Sequence, residues 1–141
     1  MSVYEFRLFV DPSQTPAPGA WEAAIARTKL PFVLRGQVDL ATHDGPLACE
    51  YLRLPAKVFL WRAASSATLA AGAPVTARQS ICLRFAHEGD MRDVLGAMTA
   101  AATLAMVWPG VLLAATSGRV LAPDRAIDEV RDMAITHELT P

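Results

Sequence analysis

Residues 78–115 read RQSICLRFAHEGDMRDVLGAMTAAATLAMVWPGVLLAA, and the fold turns on how this stretch is divided. By hydropathy alone, residues 94–115 are apolar enough to test as a membrane span. Three features argue otherwise. Thr99 and Thr103 interrupt the run, alanine dominates it and contributes little to insertion, and Trp108-Pro109-Gly110 breaks it. Strand, helix, turn, buried strand is the better division. Over residues 78–86, Ile81, Leu83 and Phe85 alternate with Cys82 and Arg84, the period of a strand. Asp90 is placed as an N-cap, with Asp93 three residues on. Met91, Val94, Leu95, Met98, Ala102, Ala105 and Met106 then recur at helical spacing. Residues 111–115 form a continuous apolar run, the mark of a strand covered on both faces.

Upstream, residues 3–10 alternate as a half-buried strand. Tyr4, Phe6, Leu8 and Val10 face one way, with Glu5 and Arg7 opposite. Pro12, Pro16 and Pro18 force a loop. Trp21, Ala24, Ile25 and Thr28 give a short helix over about 19–29. Residues 32–40 read as a second strand with Gly36 as a bulge. Asp44-Gly45 is a hairpin turn signal, followed by strands over 47–54 and 57–62. Residues 63–77 read as a loop with one helical turn. Downstream, Ser117-Gly118 turns the chain. Pro123 then opens a last helix, with Ala126, Ile127, Val130, Met133, Ala134 and His137 as its stripe. The order β-α-β-β-β-β-α-β-α predicts an α+β fold. Its sheet is mostly antiparallel, of about five to six strands, with two or three helices packed on one face. At 141 residues the chain, 1–141, fits a single domain.

Hydrophobic residues make up 52% of the chain, much of the excess being alanine, which argues against disorder and for close helix packing. A formal net charge of -1 argues against a general nucleic-acid binder. Cys49 and Cys82 are too few for a disulfide framework and read as buried thiols in a reducing compartment. The opening MSVYEFRLFV lacks a basic region and a cleavage site, so no signal peptide is expected. The expectation is a cytoplasmic protein that does not enter the membrane.

The chemistry-bearing residues form no catalytic pattern. His43, His87, His137, Cys49 and Cys82 lack the tight paired spacing of zinc sites. Cys82 and His87 lie five apart across a strand end, where side chains would not converge, and nothing local lowers a thiol pKa. There is no nucleophile elbow, Walker loop or dinucleotide fingerprint. Asp124, Asp128, Glu129 and Asp132 sit on the last helix, where Arg125 is spaced to pair with Asp128. That is the pattern of a solvated face. No catalytic residue, metal or cofactor is therefore expected. Trp21, Trp61 and Trp108 are the large anchors. Phe59 and Trp61 share a strand face with Lys57, as second-face packing or as an exposed apolar patch that marks a partner surface. The segment Asp39-Leu40-Ala41-Thr42-His43-Asp44-Gly45 places two acids and a histidine at an expected hairpin tip, where ordinary turn chemistry also suits aspartate.

The opening Tyr4-Glu5-Phe6-Arg7-Leu8-Phe9-Val10, the helix through Trp21, Leu30-Pro31-Phe32 and His43-Asp44-Gly45-Pro46-Leu47-Ala48 together resemble a loose group of small bacterial proteins. The long alanine-rich helix and residues 110–126, a strand, a turn and a helix led by Pro123-Asp124, add to the likeness. The group comprises the immunity partners of polymorphic and type VI secretion toxins. Its hairpin tip often carries Ser-Gly, for which Asp44-Gly45 stands here. Ala56-Lys57-Val58-Phe59 departs from the aromatic and carboxylate that follow a glycine in the next strand. The resemblance implies a non-enzymatic protein that binds and neutralises a cognate toxin by blocking its active site or substrate groove. Asp39, Asp44 and Glu50 would face a basic toxin groove, His43 would lie between them, and Trp61 would be an apolar anchor. Alternatives from other classes are a small-molecule-binding α+β homodimer with a cavity lined by Phe59, Trp61 and methionines, an effector adaptor or chaperone, and a cryptic cysteine or carboxylate enzyme.

Overall fold

The structure, a computed structural model, describes residues 4–141. Along the chain run β1 (Tyr4–Val10), α1 (Ala20–Thr28), β2 (Phe32–Leu34), β3 (Gly45–Leu47), β4 (Cys49–Tyr51), β5 (Leu54–Pro55), β6 (Val58–Ala64), α2 (Ala67–Ala70), β7 (Ile81–His87), α3 (Met91–Val107), β8 (Gly110–Ala114), β9 (Arg119–Leu121) and α4 (Pro123–Thr136). The class is α+β. Six strands form an antiparallel sheet in the order β3-β6-β7-β1-β8-β9, and β2, β4 and β5 form a small second sheet.

The alternation of β1 and β7 sets the main core. Phe6 pairs with Phe85 and Leu8 with Leu83, and all four are buried beside Leu60 and Leu112 on the side that α3 covers. The Asp90 carboxylate accepts from the Arg92 amide at 2.9 Å and starts α3 as the sequence predicts. α3 is buried around most of its girth, not along one stripe, because the sheet, α1, α4 and β4 all pack on it. Small residues permit this. A Cβ on Gly96 would lie 3.2 Å from the Ala56 Cβ and 3.3 Å from Val58. Met106, placed in the stripe by spacing, is exposed instead. The threonines that break the apolar run serve the core. Thr103 accepts from the Trp21 indole at 3.0 Å and donates to the Thr99 carbonyl at 2.6 Å. The helix ends at Val107, and no helix among the described residues is long and apolar enough to cross a membrane.

The strand expected over 32–40 stops at Leu34. Gly36 takes φ +86°, and the Asp39 carbonyl accepts from the Thr42 and His43 amides, so the chain folds back. Asp44-Gly45 does not close a hairpin either. β2 pairs with β4 in the small sheet and β3 with β6 in the large one, the chain changing sheets around Ala48. The β4–β5 turn uses Leu52 (φ 52°) and Arg53 (φ 64°), a left-handed pair that costs non-glycine residues roughly 1 kcal/mol each. Between the Ser117-Gly118 turn and the last helix, Arg119–Leu121 forms β9 on the edge of the large sheet, three residues too short to carry a period of their own. Gly110 is required where β8 begins, because a Cβ there would lie 2.0 Å from the Phe9 carbonyl oxygen. In α4, Ala126, Ile127, Val130 and Ala134 are buried, whereas His137 is exposed at the C-cap. Asp128 pairs with Arg131 at 3.2 Å rather than with Arg125, and Glu129 with Arg119 at 2.8 Å.

Candidate functional site: the open end of the sheet

The side of the large sheet away from α3 divides into two halves. Over β1, β7 and β8, the segment 65–80 lays Leu69, Ala70, Ala73 and Val75 on Phe9, Cys82 and Leu113, which are fully buried. The half-buried strand expected at β1 is thus covered on both faces. Over β6 and β3 the same side is open. Strand register builds two rows there. One runs Trp61, Arg84, Arg7, Leu113, Val120, and the other Pro46, Phe59, Ala86, Glu5. Phe59 and Trp61 stack with ring centroids 5.7 Å apart and planes 3° from parallel. Phe59 is half-buried and Trp61 is 39% exposed, so the pair forms a patch and not a second core.

Glu5 closes the boundary between the halves. Arg84 grips both its oxygens through Nε and Nη2 at 2.8 Å, and Arg7 Nε donates at 2.9 Å. Burial alone would push the Glu5 carboxyl up. The hydrogen bonds and charges of Arg84 and Arg7 outweigh it and hold the group below the usual carboxylate range. Arg7 also donates through Nη1 to the Leu69 carbonyl at 2.9 Å, tying the covering segment to the triad.

Of the five residues singled out from sequence, Asp39, His43 and Asp44 share one loop, which Asp44 ties to β6 next to Trp61. Asp39 caps its own turn by accepting from the Ala41 amide, and His43 Nε2 lies 3.2 Å from the Gly45 carbonyl. Asp44 accepts from the Arg62 amide at 2.8 Å, and the Arg62 guanidinium donates to the Leu40 carbonyl. The loop is therefore pinned to the residue that follows Trp61, whose side chain points to the opposite face of the strand. Glu50 is elsewhere. It lies in β4 and pairs bidentately with Arg35 at 2.9 Å, which holds its carboxyl low. Sequence reasoning did not assign Arg84, Arg7 and Glu5 to the surface. Their alternation placed them on one side of their own strands, but only the β1–β7 register brings them together.

An open groove of about 750 Å³ lies between residues 15–22 and 36–41, with Trp21, Val38 and Leu40 beside Glu22 and Asp39. Neither Phe59, Trp61 nor a methionine lines it. Cys82 and His87 fall on opposite faces of β7, and Cys49 sits in the other sheet. Burial pushes both thiols up to about 12, so neither is an activated nucleophile. His87 accepts from the Gly89 amide at Nδ1, and burial pushes its pKa down against the opposing charge of Asp93. Among the described residues no group of three or more His, Cys, Asp or Glu side chains converges to hold a metal ion. No protein-family model, no curated protein and no solved structure matches this chain.

Proposed function

We propose that the chain is a non-enzymatic, toxin-binding immunity protein. It acts in the cytoplasm of the toxin's producer and blocks the active site or substrate groove of a cognate secreted toxin domain. The observation that carries this reading is the stacked Phe59–Trp61 pair on the open end of the sheet. A tryptophan left in water beside an arginine, on a strand hydrogen-bonded into the sheet, has the composition of a binding hot spot. Asp39, His43 and Asp44 follow in the loop pinned to the same strand and supply a polar rim. Glu50 is already neutralised by Arg35 and adds least. The resemblance in sequence supplies the class of partner.

The test is co-expression with the toxin encoded beside this gene, scored as survival, with affinity measured on the purified pair. Protection and tight binding are expected, and both are lost on reversing the charge of Asp39 and Asp44 together. Binding that survives this double reversal removes the acidic rim from the reading. Binding without protection makes the chain an adaptor instead.

A further inference from the structure

Resting on that reading, we propose that the partner presents a carboxylate to Arg84, carried beside an apolar side chain that seats on Trp61. Both Glu5 oxygens are taken by Arg84 and Arg7, and the Glu5 side chain is 7% exposed, so this acid is spent inside the fold. Arg84 is not spent. Its Nε and Nη2 hold Glu5, its Nη1 bonds to no described residue, and its side chain remains 36% exposed. Arg7 and Arg84 against Glu5 leave this triad with a net positive charge.

Trp61 is the direct cross-strand neighbour of Arg84. Such neighbours have Cβ atoms about 4.5–5.5 Å apart. A partner segment that brings a carboxylate to Nη1 of Arg84 is thereby set on the strand position next to Trp61, where an apolar neighbour can cover the indole and a charged hydrogen bond is shielded from water.

Two other occupants fit worse. A second copy packed face to face about a two-fold axis sets cationic clusters against each other. A single-stranded nucleic acid needs open aromatic faces and several phosphate contacts, whereas Phe59 and Trp61 stack on each other and one positive charge is spare.

The experiment places a photo-crosslinking amino acid at Pro46, which pairs with Phe59 on the sheet edge, and in a control at Arg125 on the exposed side of α4. Crosslinking is done in the cells that make the protein, and the captured partner is then purified and titrated. The expected crosslink from position 46 maps to a partner segment containing Asp or Glu. Arg84→Gln then weakens binding about 10- to 100-fold, the loss of one charged hydrogen bond. Arg84→Glu is rescued by reversing the partner's acid. Trp61→Ala, which leaves the triad intact, weakens binding at least as much, so a folding defect in the Arg84 variants cannot mimic the result. Unchanged affinity in Arg84→Gln overturns the proposal. So does a crosslink to another copy of this chain, or a fluorescent oligo(dT) that competes for the same face. Crosslinks from position 125 alone overturn this face and leave a protein-binding role standing. Capture of no protein from either position overturns both.

Discussion

On the outer side of the six-stranded sheet, Phe9, Cys82 and Leu113 are sealed beneath the segment 65–80, while on β6 of the same sheet Phe59 and Trp61 stand open. The strands are continuous and the residue types similar. The difference lies in what the chain lays over them. Leu69, Ala70, Ala73 and Val75 form a cover just wide enough for β1, β7 and β8, and it ends where Arg7 donates to the Leu69 carbonyl. The fold has a way to bury outer-face apolar groups and applies it to one half. The aromatic pair on the other half is stacked, partly solvated and available, which is the physical condition for a binding anchor.

The sharpest break of this comparison is Phe9→Ala. It empties a fully buried aromatic site under a small cover, and an unfolding free-energy loss of about 3–5 kcal/mol is expected in urea titration. A loss below about 1 kcal/mol would show that the covered half is no core at all.

The boundary comes next. Glu5→Gln removes the charge that Arg7 and Arg84 share, and roughly 1–3 kcal/mol is expected to be lost. Its pH signature has a definite sign. The Glu5 pKa is lowered by folding, so its contribution is complete above an unfolded carboxyl value of about 4.3 and is lost as pH falls through the lower folded value. Glu5→Gln flattens that acid limb. His87, on the opposite face of the sheet, titrates in a different window. Burial lowers its pKa, so stability begins to fall as pH drops below an unfolded imidazole value of about 6.5. His87→Asn removes that earlier slope and leaves the Glu5 limb.

This boundary also marks how far sequence could be read. β1, β7, α3 and α4 were legible because each carries its own period and α3 carries its own cap. That alternation puts Phe6 and Leu8, and Leu83 and Phe85, on the inner faces of their strands, while their pairing across the two strands is set by register. The hairpin expected at Asp44-Gly45 was not real, because a turn signal says that the chain bends and not which strand it will meet. β3 meets β6, distant in sequence, and β2 meets β4. The cover was illegible for a related reason. Residues 63–77 have no period of their own, and Leu69 and Val75 become apolar contacts only once β1, β7 and β8 lie side by side. At the site, Trp61 and the 39–44 loop were visible as residue types, but the Glu5–Arg84 pair depends on register, and Glu50 was separated from them by the change of sheet.

The cover can be tested directly through Cys82. Both thiols are buried and pushed up to about 12, so reaction with a thiol reagent reports opening of the structure rather than intrinsic reactivity. Arg7→Met cuts the tie to Leu69 and leaves Glu5 held by Arg84 alone. Cys82 labelling is expected to accelerate about tenfold, equivalent to ~1.4 kcal/mol of opening free energy. Cys49, in the other sheet, is the internal control and keeps its rate. Equal acceleration of both thiols would mean that the whole fold had loosened, not the cover.

The smallest effect is expected at Trp61, and its smallness carries the argument. Trp61→Ala on the open half is expected to change stability by less than about 1 kcal/mol, as at other solvated sites. The same truncation at the covered Phe9 is expected to cost several times that. Fluorescence supplies the second readout. Trp21 and Trp108 are buried, so iodide quenching of the native protein should come almost wholly from Trp61 and vanish in Trp61→Ala. A stability loss as large as that of Phe9→Ala would make Trp61 a structural residue and deprive the docking surface of its anchor. A near-zero loss together with quenchable emission means that the large aromatic contributes little to the folded state on its own, so its worth must be sought in a complex.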